Sequence, residues 1–368
     1  MNPVLRTLLV LAGSGGPAVR IWNAFEREAL SPETFWEEGE TLWSRLGCSE
    51  AVCRTLRSLV DSCWPDEEEQ RAKRVGVRLL TFRDKEWPDA LGGLPDSPRL
   101  LYVRGKWPLR GPSVAVVGTR RCSTYGMRAA FEIGRAVGGA GGVVISGGAA
   151  GIDKAAHEGC LSAGGTSAAV LGTGVDVAYP RGHEPLFARL VEEGGALLSE
   201  YPLGSQPKQW RFPERNRIIA SLADRLVVVE APSKSGAMIT ARCALEAGRE
   251  VWAVPGRINE SGCEGSNRLL YDGAVPLVSI PDFISLALGR QLSLFEETPI
   301  RGEQNSVAFT EKEQRILCLL EKSGERTVDN LAVEGTMTPA DVFSCLAALM
   351  AAGRVFVAGP GRWSAVPK

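Results

Sequence analysis

The sequence predicts an α/β fold, an extended Rossmann-like doubly wound sheet, with a helical N-terminal domain and a C-terminal winged helix. In the central region, short β-branched runs such as VAVV and LVVV alternate with amphipathic stretches, and glycines follow the strands. Apolar runs without alternation indicate strands buried on both faces, as in a parallel sheet covered by helices. The repeated strand–glycine–helix order therefore favours a doubly wound domain.

Four segments follow one another along the 368 residues. Residues 1–70 carry helical patterns and predict a domain of SAM or helix-hairpin-helix type. We favour a packing role for this helical domain over DNA binding through a helix-hairpin-helix. Residues 71–290 form the Rossmann-like domain, and the polar residues 291–308, with Pro and Gly, form a linker. Residues 309–368 carry three helical patterns and a hairpin around a GPG turn, which predicts a winged helix.

Charge and cysteine usage limit the classes of protein. With 42 basic and 43 acidic residues, no overall positive field attracts nucleic acid, so a polyanion site must be a local patch. The nine cysteines form no Cys-x-x-Cys and the chain has two histidines, which predicts reduced thiols and no metal site. The apolar run near the N-terminus is too short to span a bilayer, so we expect a cytoplasmic protein with no membrane segment.

Glycines follow most of the predicted strands, at the sheet edge where open α/β sheets bind ligands. Because the chain has neither Gly-x-Gly-x-x-Gly after the first strand of this alternating pattern nor a P-loop, dinucleotide binding and P-loop ATP hydrolysis are disfavoured. Asp153 and His157 have the spacing of a metal or acid–base pair. The favoured interpretation is structural: Asp153 caps the start of its helix, and His157 forms a hydrogen bond with Asp153. We expect no catalytic residue, no cofactor and no enzyme activity; a nucleotide-binding or nucleotide-hydrolysing protein is the alternative.

The basic stretch RFPERNR, Arg211–Arg217, precedes an apolar helical run. At 3.6 residues per turn, Arg215 projects onto the apolar face of that helix and Arg217 points nearly opposite, toward the outside. Arg215 has two open interpretations, a ligand contact at the sheet edge or a buried ion pair with Glu200 or Glu230.

Aromatic residues stand beside these arginines. Lys208, Trp210 and Phe212 lie together in the sequence, and basic groups for phosphates beside aromatic faces for bases are what single-strand binding needs. The stretch therefore predicts a site for single-stranded DNA, read without sequence preference.

From about residue 75 to 285 the chain resembles the DNA-processing protein A (DprA/Smf) family. The matching motifs include VAVVGTRRCSTYG, ISGGAAGIDKAAHEGCL, FPERNRIIASLADRLVVVEA and SGAMITARCALEAG. The resemblance implies an extended Rossmann domain that binds and protects single-stranded DNA, forms a homodimer and loads the RecA recombinase on incoming DNA during natural transformation.

The resemblance also implies which residues contact DNA. They come from the loop after the VAVV strand, from the Phe-Pro-x-Arg-Asn-Arg element and from the Ser-Gly-x-x-x-Thr element. A basic residue precedes the phenylalanine in the family, and here Lys208 is favoured over Arg211. Thr119 replaces the usual serine, and Gly148 replaces the usual leucine, which puts the packing of that loop in doubt. The predicted DNA-binding residues are Arg120, Ser123, Lys208, Phe212, Arg215, Asn216, Arg217, Ser235, Gly236 and Thr240.

The pentapeptide QLSLF at the start of the linker resembles the peptide by which bacterial proteins hold the β sliding clamp. In a flexible linker it could reach a groove, with two apolar anchors. The alternative is that it continues the preceding helix. The predicted clamp-binding residues are Gln291, Leu292, Leu294 and Phe295.

The charge of the winged helix argues against DNA recognition. Its would-be recognition helix, TPADVFSCLAALMAAG, carries Asp341 and no Arg or Lys, whereas phosphate contacts need cations. Only Arg354 and Arg362 in the wing are suited to DNA. A packing or protein-contact module is therefore favoured.

Overall fold

A nine-stranded sheet organises the first two thirds of the chain. Its strands are β1 (Val77–Thr81), β2 (Leu100–Gly105), β3 (Ser113–Val117), β4 (Val143–Ser146), β5 (Thr166–Val170), β6 (Ala196–Ser199), β7 (Arg225–Val228), β8 (Glu250–Ala253) and β9 (Val275–Pro276). Their order across the sheet is β1-β2-β6-β5-β4-β3-β7-β8-β9. Strands β3 to β9 pair in parallel, and β1 and β2 add an antiparallel edge. The predicted doubly wound α/β sheet is confirmed.

This computed structural model describes residues 2–15, 18–94, 96–289, 309–351, 354–359 and 362–365. The chain divides into two units, Met1–Ser293 and Leu294–Lys368. The predicted linker, residues 291–308, and its clamp peptide lie outside the described residues. In the part of the chain that is described, no helix has the length and apolar character to cross a bilayer.

Helices cover both faces of the sheet. They are α7 (Asp89–Gly92), α8 (Thr124–Gly139), α9 (Ile152–Ser162), α10 (Glu184–Glu192), α11 (Arg211–Leu222), α12 (Gly236–Glu246), α13 (Glu264–Tyr271) and α14 (Ile280–Leu288). Val114 and Val116 of β3 pack with α8, α9 and α14, whereas Ala115 and Val117 pack with α11, α12 and α13. The strand is buried on both faces, as its continuous apolar run predicts.

Two glycines let α8 and α9 lie against each other. A Cβ atom at Gly134 of α8 would overlap the carbonyl of Ala156, and one at Gly159 of α9 would overlap the carbonyl of Phe131. Because only glycine lacks the Cβ atom, the backbones of the two helices can make direct contact here.

Six helices precede the sheet. They are α1 (Pro3–Gly13), α2 (Ala18–Arg27), α3 (Pro32–Glu37), α4 (Glu40–Arg45), α5 (Glu50–Val60) and α6 (Trp64–Arg74). Their apolar side chains form one hydrophobic cluster with sheet residues such as Tyr102, Ala169 and Leu197. The helical N-terminal region is confirmed, and the boundary of a separate domain at residue 70 stays a prediction.

The second unit consists of three helices and a small antiparallel sheet. Its elements are α15 (Glu311–Ser323), β10 (Arg326–Thr327), α16 (Val328–Gly335), α17 (Pro339–Ala351), β11 (Val355–Gly359) and β12 (Arg362–Ala365). The strands lie in the order β10-β12-β11, and β11 and β12 pair in antiparallel fashion. This is the three-helix and wing arrangement that the sequence predicts.

Candidate nucleic-acid interface

A broad groove of about 1140 Å³ opens beyond the carboxyl ends of β3 and β7. Strand β3 has β4 as its neighbour on one side and β7 on the other. The chain builds the sheet outward from β3 in both directions, so the strand order reverses between β3 and β7. The loop after β3, helix α11 and the N-terminus of α12 line the groove. Open α/β sheets bind their ligands at such a switch point.

An exposed cation stands over an aromatic ring in this groove. The guanidinium carbon of Arg120 lies 5.1 Å from the centroid of the Phe212 ring. The half-buried Phe212 ring packs 5.3 Å from the ring of Tyr179, and the absence of a side chain at Gly172 leaves space for it. A cation and an aromatic face side by side can meet a phosphate and an unstacked base.

Arg215 is buried at the base of the groove, where it links the loop after β4 to the end of β5. It is 4% exposed, and its Nη1 donates to the carbonyl of Gly147 at 2.9 Å and to that of Val170. Burial lowers the pKa of Arg215 to about 10, and the carboxylate of Asp153 opposes this effect. The expected acidic partner, Glu200 or Glu230, is therefore wrong, because the side chain reaches the ends of β4 and β5, next to Asp153 in the first turn of α9.

Arg217 lies on the other side of α11, but it does not face solvent. Its side chain is 16% exposed and its Nη2 lies 2.8 Å from Oε1 of Glu200, just after β6. Burial lowers the pKa of Arg217, but the Glu200 carboxylate more than offsets this, so the pKa is raised. The expected outward orientation is wrong because residues of α1 and the end of β6 enclose that side of α11 around a second cavity.

The N-terminus of α12 points to the groove. Asn216 Nδ2 and Thr240 Oγ1 both donate to the carbonyl of Gly236, at 3.0 and 3.1 Å. The Ser235 hydroxyl, at the N-cap, is buried and has no hydrogen-bond partner among the described residues. The buried Asn216 and Thr240 thus position the first turn of α12, whose free N–H groups favour an anion.

Three predicted DNA-binding residues, Ser123, Lys208 and Arg217, lie outside the groove lining. The Ser123 hydroxyl accepts from Gly126 N at 3.0 Å, capping α8, and donates to the carboxylate of Glu230. Lys208 is exposed, and its carbonyl accepts from the N–H of Arg211. Arg217 lines the second cavity, so the other seven of the ten predicted residues line the groove. Their contacts with DNA stay a prediction.

Sequence reasoning missed several groove residues. Arg121, Lys234 and Arg242 are exposed cations along the groove, and Tyr179 supports Phe212. Arg121 follows Arg120, and Lys234 precedes the Ser-Gly element, so adjacency to motif residues could have identified both. Tyr179 comes from the long connection between β5 and α10, which gives no local signal.

Asp153 and His157 form no acid–base pair. Asp153 accepts from the N–H of Gly147 at 3.1 Å, and His157 Nδ1 lies 2.7 Å from the hydroxyl of Ser167. Gly151 occupies the N-cap of α9, so the predicted cap and the predicted bond between the two side chains are wrong. Burial lowers the pKa of His157 to about 3. Within the described ranges, no group of three or more acidic, His or Cys side chains could hold a metal.

The fold and the groove define a Rossmann-like protein with a groove lined by exposed cations at the topological switch point. The family model described as DNA recombination-mediator protein A matches residues 78–287, more than half of the chain. The chain belongs to this family.

Relatives agree with this assignment. Protein Smf of Escherichia coli is 41% identical over 223 residues, which are 60% of this chain and 58% of that protein. A putative DNA processing protein DprA of Mycobacterium tuberculosis is 38% identical over 306 residues, 79% of this chain and 77% of that protein. The chain thus spans little more than half of the E. coli relative.

Solved structures show the same fold. DNA processing protein A from Streptococcus pneumoniae superposes with a TM-score of 0.64 at 32% identity, covering 75% of this chain and 95% of that chain. The Helicobacter pylori protein, whose structure is described by its single-stranded DNA binding mode, superposes with a TM-score of 0.52 at 31% identity, covering 58% and 96%.

Proposed function

We propose that this protein binds single-stranded DNA without sequence preference through the groove between β3 and β7. The observation that carries the proposal is the exposed Arg120 guanidinium over the Phe212 ring, beside the N-terminus of α12. A single strand offers both phosphates and unstacked base faces, whereas a duplex keeps its bases stacked. The binding mode named for the H. pylori relative supports this choice of ligand.

In the cell, the bound strand would be protected and handed to a recombinase. Membership in a recombination-mediator family supports a role in loading RecA on incoming DNA during natural transformation, in the cytoplasm. In this proposal the protein acts by binding DNA, and no covalent bond is made or broken. Nucleotide hydrolysis in the same groove is the competing function, and a turnover assay with nucleotide separates the two.

A second copy of the chain is a further proposed partner. Beyond β8 and around the edge strand β9, Ile258, Tyr271 and Val278 expose 87, 81 and 79% of their surfaces. Large apolar side chains exposed near a sheet edge support a protein contact there. Such a homodimer would place two grooves on one assembly.

The winged helix is proposed to contact protein rather than DNA. Asp341 of α17 pairs with Lys312 at 3.0 Å, and the same helix exposes Phe343 and Met350 by 57 and 50%. Helix α17 itself carries no Lys or Arg, and its exposed apolar side chains suit a protein partner better than phosphates.

The linker peptide is proposed to hold the β sliding clamp through Gln291, Leu292, Leu294 and Phe295. Replacing Leu294 and Phe295 by Ala should abolish capture of the chain by immobilised clamp and leave DNA binding intact. Unchanged capture refutes this partner.

The DNA proposal is tested by fluorescence anisotropy with single- and double-stranded oligomers of one sequence. The wild type should prefer the single strand, and Arg120→Ala should weaken single-strand binding. Arg128→Ala is the matched control, because Arg128 is an exposed arginine of α8 outside the groove lining. Equal affinity for both oligomers, or equal effects of the two variants, would contradict the proposal.

A further inference from the structure

We propose that a second cavity, on the opposite side of α11 from the DNA groove, binds a free mononucleotide. The cavity has a volume of about 620 Å³ and lies between α1, the start of β2, the end of β6 and α11. Sites for small organic ligands occupy roughly 300–1000 Å³. All of its lining residues belong to the first unit of the chain.

Among the described residues that line the cavity, four carry a buried N–H donor that lacks an acceptor. The buried atoms without a hydrogen-bond partner include Trp22 Nε1, Arg99 Nε, Arg211 Nε and Arg217 Nη1. Trp22 and Arg211 are 2 and 7% exposed. Among the described lining residues, every such unpaired atom is a donor, and three of the four belong to guanidinium groups. The guanidinium groups of Arg99, Arg211 and Arg217 in this wall favour a ligand that carries anionic acceptors.

The remaining surface of the cavity suits a flat apolar body. Leu8 and Leu11 of α1 form an apolar side, and Trp210 presents an indole that is 45% exposed. The Arg211 guanidinium lies 4.3 Å from the ring centroid of Tyr201. The guanidinium also lies 5.3 Å from the Trp210 ring, so the exposed part of this indole is the surface on which a nucleobase would stack.

The acidic residues of the wall distinguish a nucleotide from a bare phosphate. Glu200 is paired with Arg217, and Glu214 accepts from the Tyr201 hydroxyl at 3.3 Å. Asp96 is exposed at the rim. Three carboxylates beside three arginines leave the cavity without the large positive charge that would attract an inorganic anion. A carboxylate can, however, accept a hydrogen bond from the amino group of a base. A ligand with one anionic group and a base that donates hydrogen bonds satisfies both parts of the wall.

Helix α11 separates the two sites. Phe212, Arg215 and Asn216 face the DNA groove, whereas Arg211 and Arg217 face the cavity. The nucleotide proposal therefore stands on its own contacts and does not require that the groove binds DNA.

Calorimetric titration of the full chain with AMP, adenosine and inorganic phosphate tests the chemistry. AMP should bind saturably, and adenosine and phosphate should each bind at least about tenfold more weakly, a difference of about 1.4 kcal/mol. The AMP affinity should stay within about twofold when a single-stranded oligomer saturates the groove. Absence of AMP binding, phosphate binding as tightly as AMP, or displacement of AMP by the oligomer would each overturn the proposal.

A cavity-filling variant tests the location. Ala12 is a half-buried cavity residue of α1, so Ala12→Phe adds volume without removing a hydrogen bond. We expect AMP affinity to fall at least about tenfold and single-strand affinity to stay unchanged. Ala24→Phe is the control, because Ala24 is half-buried in α2 and outside the cavity lining. Equal AMP affinity in the wild type and Ala12→Phe would refute the site, whatever the outcome for DNA.

A measurement on the wild type covers the case in which Ala12→Phe does not fold. Cys243 lines the cavity and Cys318 is exposed in the second unit. Saturating AMP should slow the alkylation of Cys243, measured by peptide mass spectrometry, and leave that of Cys318 unchanged. Alkylation of Cys243 at the same rate with and without AMP would overturn the proposal.

Discussion

Replacing Arg215 by Met should destabilise the protein far more than it weakens DNA contacts directly. Arg215 and Asp153 flank Gly147, and burial raises the pKa of Asp153 while the arginine opposes that effect. Removing the cation that compensates a buried carboxylate costs up to about 3–5 kcal/mol. The carbonyls of Gly147 and Val170 lose their donor as well, at about 1–3 kcal/mol for each unsatisfied buried group, although these costs are not additive.

Urea unfolding followed by circular dichroism measures this loss. A loss of about 3–5 kcal/mol is a large part of a typical stability of about 5–15 kcal/mol, so the transition of Arg215→Met should move to clearly lower urea. Combining the variant with Asp153→Asn should cost less than the sum of the single effects, because the neutral amide no longer needs the cation. A loss below about 1 kcal/mol together with weakened DNA binding would refute the structural role of Arg215.

Four further outcomes test separate parts of the structure. Arg120→Ala should reduce the slope of log affinity against log salt for a single strand by about 0.7, measured by anisotropy, and an unchanged slope would exclude a phosphate contact. Phe212→Ala should weaken single-strand binding by about 1–3 kcal/mol, and equal affinity would remove the stacking role. Because His157 has a pKa of about 3 when folded and 6.5 as its ordinary value, the unfolded state binds more protons below pH 6.5. Stability should therefore fall as pH drops from about 6.5 to 5, approaching about 1.4 kcal/mol per pH unit, and His157→Gln should flatten this slope in urea unfolding; parallel slopes would contradict it. Gly159→Ala should cost about 1–3 kcal/mol, since its Cβ would overlap the Phe131 carbonyl, and an unchanged melting temperature would argue against that contact.

The sequence predicts the fold well because local patterns determine it. Strands such as β3 and β7 read as uninterrupted β-branched runs, and the structure buries them on both faces. The glycines after these strands and the helix patterns between them then leave few arrangements other than a doubly wound sheet.

The candidate site is predicted less completely, because it depends on segments far apart in the chain. A helical projection placed Arg215 inward correctly but could not show that α1 and Glu200 enclose the side of α11 that carries Arg217. Tyr179 reaches Phe212 across 33 positions of sequence, since the chain passes through α10 and β6 in between. Packing between distant segments leaves no periodic pattern in either one.

Photo-cross-linking tests the location of the DNA site most directly. A single strand containing 4-thiothymidine would be irradiated with the full chain, and the attached peptides would be identified by mass spectrometry. We predict attachment in the peptides that carry Phe212 and Tyr179, and its loss in excess unmodified single strand. Attachment confined to the N-terminal helices or to the second unit, with none in those two peptides, would contradict a single-strand site between β3 and β7.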